Sequence, residues 1–386
     1  MSAEGAAPVV DGGSVPVRLT LGTLDITNLR NIERATIEAA GGVNVITGNN
    51  GHGKTSILES VYVLATSRSF RTARLGEVVR HGERIGSVRG TFVEHLPTGP
   101  VSREQSVGLA GGRRTVRLDG DPPATLSHYA TRSPVVVFDP QQMTLSTGPA
   151  AERRTLLDRV TLFTRPEVAG HRARYAKALK ERQRLLTDRF PRIADSPELD
   201  AYEVILAEHG SAMTQARAAA SAHLGEALVR AFDRIASPEL VLRSDYAAGG
   251  SVDAEEARRA LYEGRGGDAR RKRTGFGPHR DDITLTIDGH PARIVASQGQ
   301  HRAITLALKI AELEIIGRAR GVLPILLLDD VSSELDPDRT AALFAHLATT
   351  ESQIFLTTTR SDLILTPRGE LERRDWLVRD GVVSAG

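Results

Sequence analysis

Residues 48–55 read Gly48-Asn49-Asn50-Gly51-His52-Gly53-Lys54-Thr55, a complete G-x-x-x-x-G-K-[ST] loop. Val43-Asn44-Val45-Ile46-Thr47 precedes it as a short apolar run with strand character. Ile57, Leu58, Val61 and Leu64 follow at helical spacing. The loop constrains the fold more than any other stretch, because its chemistry requires a strand on one side and a helix on the other. Its glycines let several backbone N–H groups converge on phosphate oxygens, and the helix N-terminus adds positive potential. In that geometry Lys54 reaches the β- and γ-phosphates of a nucleotide, and the Thr55 hydroxyl is a ligand for Mg²⁺.

Length and charge narrow the class. The 386 residues suffice for two or more cores. The chain has no cysteine, so disulfides and thiolate metal sites are excluded, which fits a reducing cytoplasm. No apolar run approaches the ~18 residues of a membrane span. Residues 1–17, rich in Gly, Ala, Pro and Ser, read as a disordered tail rather than a signal peptide. The formal charge of +2 does not announce a nucleic-acid binder. Only five lysines occur, so arginine is the default cation, and Lys54 is a scarce residue standing where the loop demands it.

Alternation predicts strands at Val17–Leu21, Leu24–Ile26 and Ala35–Ile37, then over residues 85–118, with Asp119-Gly120 as a hairpin turn. Val135–Phe138 reads as a buried strand. From about 150 to 235 the spacing turns helical. Tyr202, Ile205, Leu206, His209, Met213 and Ala216 share one face, with His209 read as a packing residue; Tyr175, Ala178, Leu179, Arg182 and Leu186 share another. These helices are expected to be short and without sustained heptads. Residues 247–275 read as a glycine-rich, mobile connection back, carrying the basic run Arg270 to Arg273. The expected division is an N-terminal head part at 18–148, a helical arm at 149–272 and a C-terminal head part at 273–386.

Pro324-Ile325-Leu326-Leu327-Leu328-Asp329-Asp330 is an apolar strand ending in acids, the Walker B pattern. Asp329 is the expected Mg²⁺ ligand and Asp330 the general base toward water. Ser297-Gln298-Gly299-Gln300 opens a helical run and matches the core of an ABC signature, whose serine hydroxyl and glycine N–H face the γ-phosphate of a nucleotide on a second subunit; by itself it also reads as a plain helix N-cap. Ser333-Glu334-Leu335-Asp336 follows at D-loop spacing. Four motifs in this order predict an ABC-type P-loop ATPase head of α/β class, a mixed sheet plus antiparallel strands, with an inserted helical arm domain. ATP would then join two copies head to tail in a homodimer with two composite sites.

With these motifs in place, the chain resembles the RecF family of bacterial recombination and gap-repair ATPases, relatives of the SMC heads, over residues ~24–360. Further matching pieces are Asn28-Leu29-Arg30-Asn31, Ser69-Phe70-Arg71-Thr72, Gly148-Pro149 with Arg153-Arg154 and Leu157-Asp158, and Gly277-Pro278-His279-Arg280-Asp281-Asp282. The last is the most family-specific. The resemblance implies ATP and Mg²⁺ as cofactors and slow, DNA-stimulated hydrolysis. It implies duplex DNA at gap junctions as ligand, and work with RecO and RecR to place RecA. By likeness to heads of this class, Arg30 and Asn31 lie at the phosphate or base. Departures are Ser56 where Asn is common, His301 where Gln is usual, and Thr359 at the ABC switch-histidine position. Gln141 and Gln142 stand where a Q-loop would be.

Candidate DNA contacts are Arg68, Arg71 and Arg74, then Arg113, Arg114 and Arg117, then Arg270 to Arg273, with no interleaved aromatics to stack on bases. Two other classes compete. An ABC transporter subunit is disfavoured by the insertion, the missing switch histidine and the Gly277–Asp282 stretch. An SMC-like organiser would need long heptad coiled coils.

Overall fold

The computed structural model describes residues 16–139, 143–188, 196–235, 239–330, 351–359 and 372–386. The D-loop residues 333–336, Gln141 and Gln142, and most of the expected 1–17 tail lie outside them. The chain divides into two units, residues 1–142 with 312–386, and residues 143–311.

The first unit opens with β1 (Val17–Leu29) and β2 (Ile32–Glu38). The two short strands read from the sequence at 17–26 are one strand, irregular between Leu21 and Thr23 where its register against β4 (Ile85–Leu96) shifts. Between them in sequence come β3 (Val43–Thr47) and α1 (Lys54–Thr66). β5 (Gly99–Ala110) and β6 (Arg113–Leu118) extend the antiparallel sheet. Asp119 and Gly120 after β6 both have positive φ, 50° and 89°, the backbone of a type I′ turn. After α2 (Leu126–Ala130), β7 (Val135–Phe138) enters a second sheet.

The second unit holds α3 (Thr144–Thr147), α4 (Ala150–Thr164), α5 (Val168–Asp188) and α6 (Pro197–Ile235). The expectation of short helices fails here: α6 has 39 residues, about 58 Å at 1.5 Å per residue. It does not need heptads, because it packs on α4, α5, β8 (Leu242–Ala247) and α7 (Ala254–Glu263) of its own unit. Leu206, His209, Met213 and Ala216 are buried as the spacing predicted, but Ile205 is exposed. His209 is indeed held by packing and hydrogen bonding, its Nδ1 3.1 Å from Nδ1 of His171. The stretch read as a loose connection contains α7 and α8 (Arg265–Arg271), both with acids in the first turn.

β9 (Asp282–Ile287) pairs antiparallel with β8 and with β10 (His290–Pro291), and α9 (Ala292–Val295) leads to α10 (Gln298–Arg320). This pairing keeps residues 273–311 in the second unit, so the expected boundary at 272/273 moves to 311/312, inside α10.

The chain then returns to the first unit through β11 (Val322–Leu323), β12 (Ile325–Leu328), β13 (Ile354–Thr358), β14 (Arg373–Arg379) and β15 (Val382–Ala385). β11 adds to the edge of β1. The second sheet runs β15-β14-β3-β13-β12-β7, parallel from β14 to β7. β12, β13 and β7 are continuous apolar or buried runs, as a parallel strand covered on both faces must be. α1 touches strands of both sheets, and Ile57, Leu58, Val61, Val63, Leu64 and Ala65 are all buried in one core with Leu21, Leu24, Phe92, Val107, Val135, Leu327 and Trp376.

Candidate nucleotide site

The loop between β3 and α1 is shaped by three glycines with positive φ: Gly48 at 147°, Gly51 at 83° and Gly53 at 112°. Space as well as backbone requires two of them. A Cβ on Gly48 would stand 2.3 Å from the Val378 carbonyl oxygen, and one on Gly53 would stand 2.8 Å from the Asn31 amide. Gly53 caps α1 without a side chain, so the helix N-terminus receives no side-chain acceptor. The Lys54 ammonium curls over the loop, donating to the carbonyls of Gly48 (2.7 Å) and Asn49 (3.1 Å) and to Asn50 Oδ1 (3.2 Å). Burial lowers its pKa, against the pull of Asp330 and Asp329.

Thr55 lies across from the Walker B strand. Its hydroxyl donates to Asp329 Oδ1 at 2.9 Å, joining residues 274 apart in sequence. Asp329 also accepts from the Thr357 hydroxyl at 2.7 Å, and that hydroxyl accepts from the Asp330 N–H at 2.9 Å. Asp330 itself sits at φ 46°. Burial raises the Asp329 pKa, opposed by the hydrogen bonds from Thr357 and Thr55. A buried carboxylate beside two hydroxyls is a hard, oxygen-only donor set, of the kind that holds Mg²⁺ together with nucleotide phosphates and water. Among the described residues no cluster of three His, Cys, Asp or Glu competes as a metal site. Thr357 escaped the sequence reading, which took Thr359 from the same run; Thr359 is exposed at the end of β13.

Asn31 and Ser56 brace the loop. Asn31 donates to the His52 carbonyl at 2.9 Å and accepts from Ser56 Oγ at 3.1 Å. The turn between β14 and β15, unmarked in the sequence reading, closes over the same point: the Gly381 N–H donates to the His52 carbonyl, and His52 Nε2 lies 3.8 Å from Asp380. Arg30, expected at a nucleotide, is engaged bidentately by Glu59 at 2.7 and 2.8 Å and donates to the Glu77 carbonyl. Glu59, fully buried on α1, also accepts from Ser69 and Arg71, so it ties the Ser69–Thr72 element to the helix.

In the second unit, Ser297 and Gln300 form a reciprocal cap at the start of α10: Gln300 N–H donates to Ser297 Oγ, and Ser297 N–H to Gln300 Oε1. The N-cap is thus what the structure shows of this stretch; in that cap the serine oxygen accepts and its own hydrogen is not used. Ser297 is exposed, and Gly299 lies in the first turn. Upstream, the Gly277–Asp282 stretch is a structural pin. Asp281, fully buried, accepts from Arg217, Tyr246 and the Gly249 N–H, and Asp282 pairs with Arg153. His279 Nε2 lies 2.9 Å from the Thr274 carbonyl, which can only accept, so Nδ1 is left to accept from the Tyr175 hydroxyl. Burial pushes the His279 pKa down and the Tyr175 pKa up.

The arginines proposed for DNA fare unequally. Arg71 is committed to Glu59, Arg74 lies 3.5 Å from Glu77, Arg114 donates to the Ser67 carbonyl and Arg117 to that of Gly120. Arg68 and Arg113 are exposed. No described helix is long and apolar enough to cross a membrane.

The family model for the RecF/RecN/SMC N terminal domain matches residues 20–368. The DNA replication and repair protein RecF of Myxococcus xanthus is 37% identical over 351 residues, covering 88% of this chain and 91% of that one. RecF of Anaeromyxobacter sp. is 38% identical over 373 residues, covering 94% and 98%. The solved structure of the recombination mediator RecF-ATP of the RecFOR pathway superimposes with a TM-score of 0.85 at 26% identity, over 95% of this chain and 97% of that one. An SMC head from Pyrococcus furiosus shares the fold alone, with a TM-score of 0.54 at 14% identity. A strand–loop–helix joined to a buried Asp-Asp strand end, in a chain aligned nearly throughout, makes this protein a member of the RecF family of ABC-type ATPases.

Proposed function

We propose that this chain is an ATP-dependent DNA-binding protein of recombinational repair and replication restart. Its ATP-bound homodimer binds duplex DNA at single-strand gaps, hydrolyses ATP slowly with stimulation by DNA, and works in the cytoplasm with RecO and RecR to load RecA. The observation that carries the reading is the 2.9 Å hydrogen bond between Thr55 and Asp329, which unites the phosphate loop and the Walker B strand in one site.

Each residue has a role in this reading. The loop from Gly48 to Gly53 offers backbone N–H groups to the phosphates, and Lys54 exchanges its three loop acceptors for phosphate oxygens. Thr55 and Asp329 hold Mg²⁺, which when bound neutralises charge on the phosphate oxygens. Asp330, whose charge opposes the burial that lowers the Lys54 pKa, orients and deprotonates the attacking water. Ser297 and Gly299 serve the γ-phosphate of the partner copy, with the N-terminus of α10 behind them. Asn31, His52 and Ser56 hold the loop in shape, Arg30, held by Glu59 beside α1, lies toward the nucleotide, and Thr359 stands at the position of a γ-phosphate sensor. RecF-ATP as a solved relative supports the nucleotide.

Sedimentation velocity with and without ATP and gapped DNA tests the scheme. Wild-type protein dimerises with ATP. Lys54→Met loses nucleotide and stays monomeric, whereas Ser297→Arg binds ATP yet stays monomeric. Normal dimerisation by Ser297→Arg would remove the composite site.

A further inference from the structure

A basic knuckle at the end of α8 is the most strongly charged surface feature that the nucleotide site leaves unused. Residues 264–273 hold five cations, Arg265, Arg270, Arg271, Lys272 and Arg273, against one acid, Asp268. The structure sorts these charges by direction. Arg265 turns inward and pairs with Glu203 and Asp200. Asp268 turns inward as well, to Arg182, which is fully buried and also bridges Glu203, Thr274 and the Leu261 carbonyl. Asp268, the acid within this segment, is thus spent on a buried arginine. Arg270, Arg271, Lys272 and Arg273 are left exposed, and among the described residues Arg271 shares Asp268, at 3.2 Å.

The backbone presents the cluster at a fixed turn. Lys272 ends α8 at φ 52°, the left-handed region that a lysine enters only at a cost, and its N–H donates to the Ala269 carbonyl. The Gly275 N–H returns to Asp268 Oδ1. Buried ion pairs contribute little net stability but fix geometry, because every alternative arrangement leaves a charge unpaired. Other candidate arginines, Arg71, Arg74, Arg114 and Arg117, have partners within the chain, as described above.

We infer that the knuckle of Arg270, Lys272 and Arg273 is a phosphate-backbone contact for DNA, read for charge and not for sequence. The inference rests on the proposed DNA binding and adds the surface. Exposed cations on a turn tied down by hydrogen bonds suit a polyanion whose charges repeat along its length; residues 264–273 carry no aromatic to stack on a base, and the neighbouring Tyr262 ring is packed against Arg265, 4.5 Å from its guanidinium.

The test is fluorescence anisotropy of full-length protein with ATP and a gapped duplex, from 50 to 200 mM salt. In the triple variant Arg270→Ala, Lys272→Ala, Arg273→Ala, the log–log salt slope should fall by up to about 2.7, three phosphates at about 0.9 each, with affinity reduced about tenfold or more for every sequence tried. A charge-keeping variant, Arg270→Lys with Arg273→Lys, should retain the wild-type slope, which separates charge from folding. ATP binding, measured with a fluorescent analogue, should be unchanged in both. An unchanged slope in the alanine variant overturns the inference while leaving the proposed function intact. So does selective loss of binding to an acidic protein partner with DNA binding preserved. Wild-type protein that fails to bind DNA at any salt would instead sink the proposed function itself.

Discussion

At the scale of single residues, Asp329 is the group whose surroundings matter most. Burial disfavours its charge, and the hydroxyls of Thr55 and Thr357 offset this only in part, so its folded pKa lies above the ordinary carboxylate value of 3.8. For an acid with a raised folded pKa, the folded state holds its proton more tightly than the unfolded chain does. The stabilising contribution is therefore full below about 3.8 and is lost as pH rises through the folded value. Nucleotide-free Asp329→Asn, whose amide oxygen can still accept from both threonines, should melt above wild type at pH 7, and the gap should close as pH falls toward 4. Saturating ATP with Mg²⁺ should reverse the order, because only wild type gains the linkage of a tightly held ligand. Scanning calorimetry across pH checks both; an asparagine variant that melts at or below wild type at pH 7 without nucleotide would refute the burial argument. Thr357 shows where reading the chain ran short at this scale. A run of threonines after an apolar strand gives no sign of which hydroxyl turns toward an acid nearly thirty positions earlier, since that depends on the register of β12 against β13.

At the scale of elements, α1 shows what spacing can and cannot tell. Its apolar positions announce a helix, but a helix covered by two sheets is buried nearly all round, and its polar residues then acquire interior jobs. Glu59, between Leu58 and Ser60, would pass for a solvent-facing residue in a linear reading. It is instead fully buried and collects Arg30, Arg71 and Ser69, fastening the start of β2 and the Ser69–Thr72 element to the phosphate-loop helix. Glu59→Ala should therefore lower stability substantially. The ~3–5 kcal/mol for breaking a fully buried pair is an upper bound, because both arginine heads keep some water. Glu59→Gln, which keeps the shape and one good acceptor, should fall between the two. Urea titration of the α1 transition checks the order, and equal midpoints for all three proteins would show that the cluster carries no weight. The same contrast runs through the molecule. The buried strands β7 and β12 were legible because apolar runs bounded by Pro and Asp have few other uses, whereas β13 was not read as a strand at all. The length of α6 was not, because its alanine-rich, mixed faces carry no heptad signal and its burial comes from four separate neighbours.

At the scale of the whole molecule, sequence distance separates the two units. The second is one continuous stretch whose main helix pair, α5 with α6, closes over a few tens of residues. The first is interrupted: β3 must find β13 and β14, so that Val43 pairs with Ile354 and Arg373, some three hundred residues away. Closing such a loop costs chain entropy before any contact repays it, while folding the intervening unit shortens the effective loop. The second unit should therefore form first and act as the clasp that brings the strands of the nucleotide site together. Pulse-labelling hydrogen exchange during refolding reads this directly. Amides of α6, such as those of Leu206 and Met213, should gain protection before those of Ile354 and Leu356 in β13. Because Asp329 is set by β12 beside β13, nucleotide binding should appear only in the later phase, at the rate of β13 protection. Protection of β13 before α6, or nucleotide binding that precedes both, would mean that the long-range parallel sheet assembles without the inserted unit, and the loop-closure argument would fail.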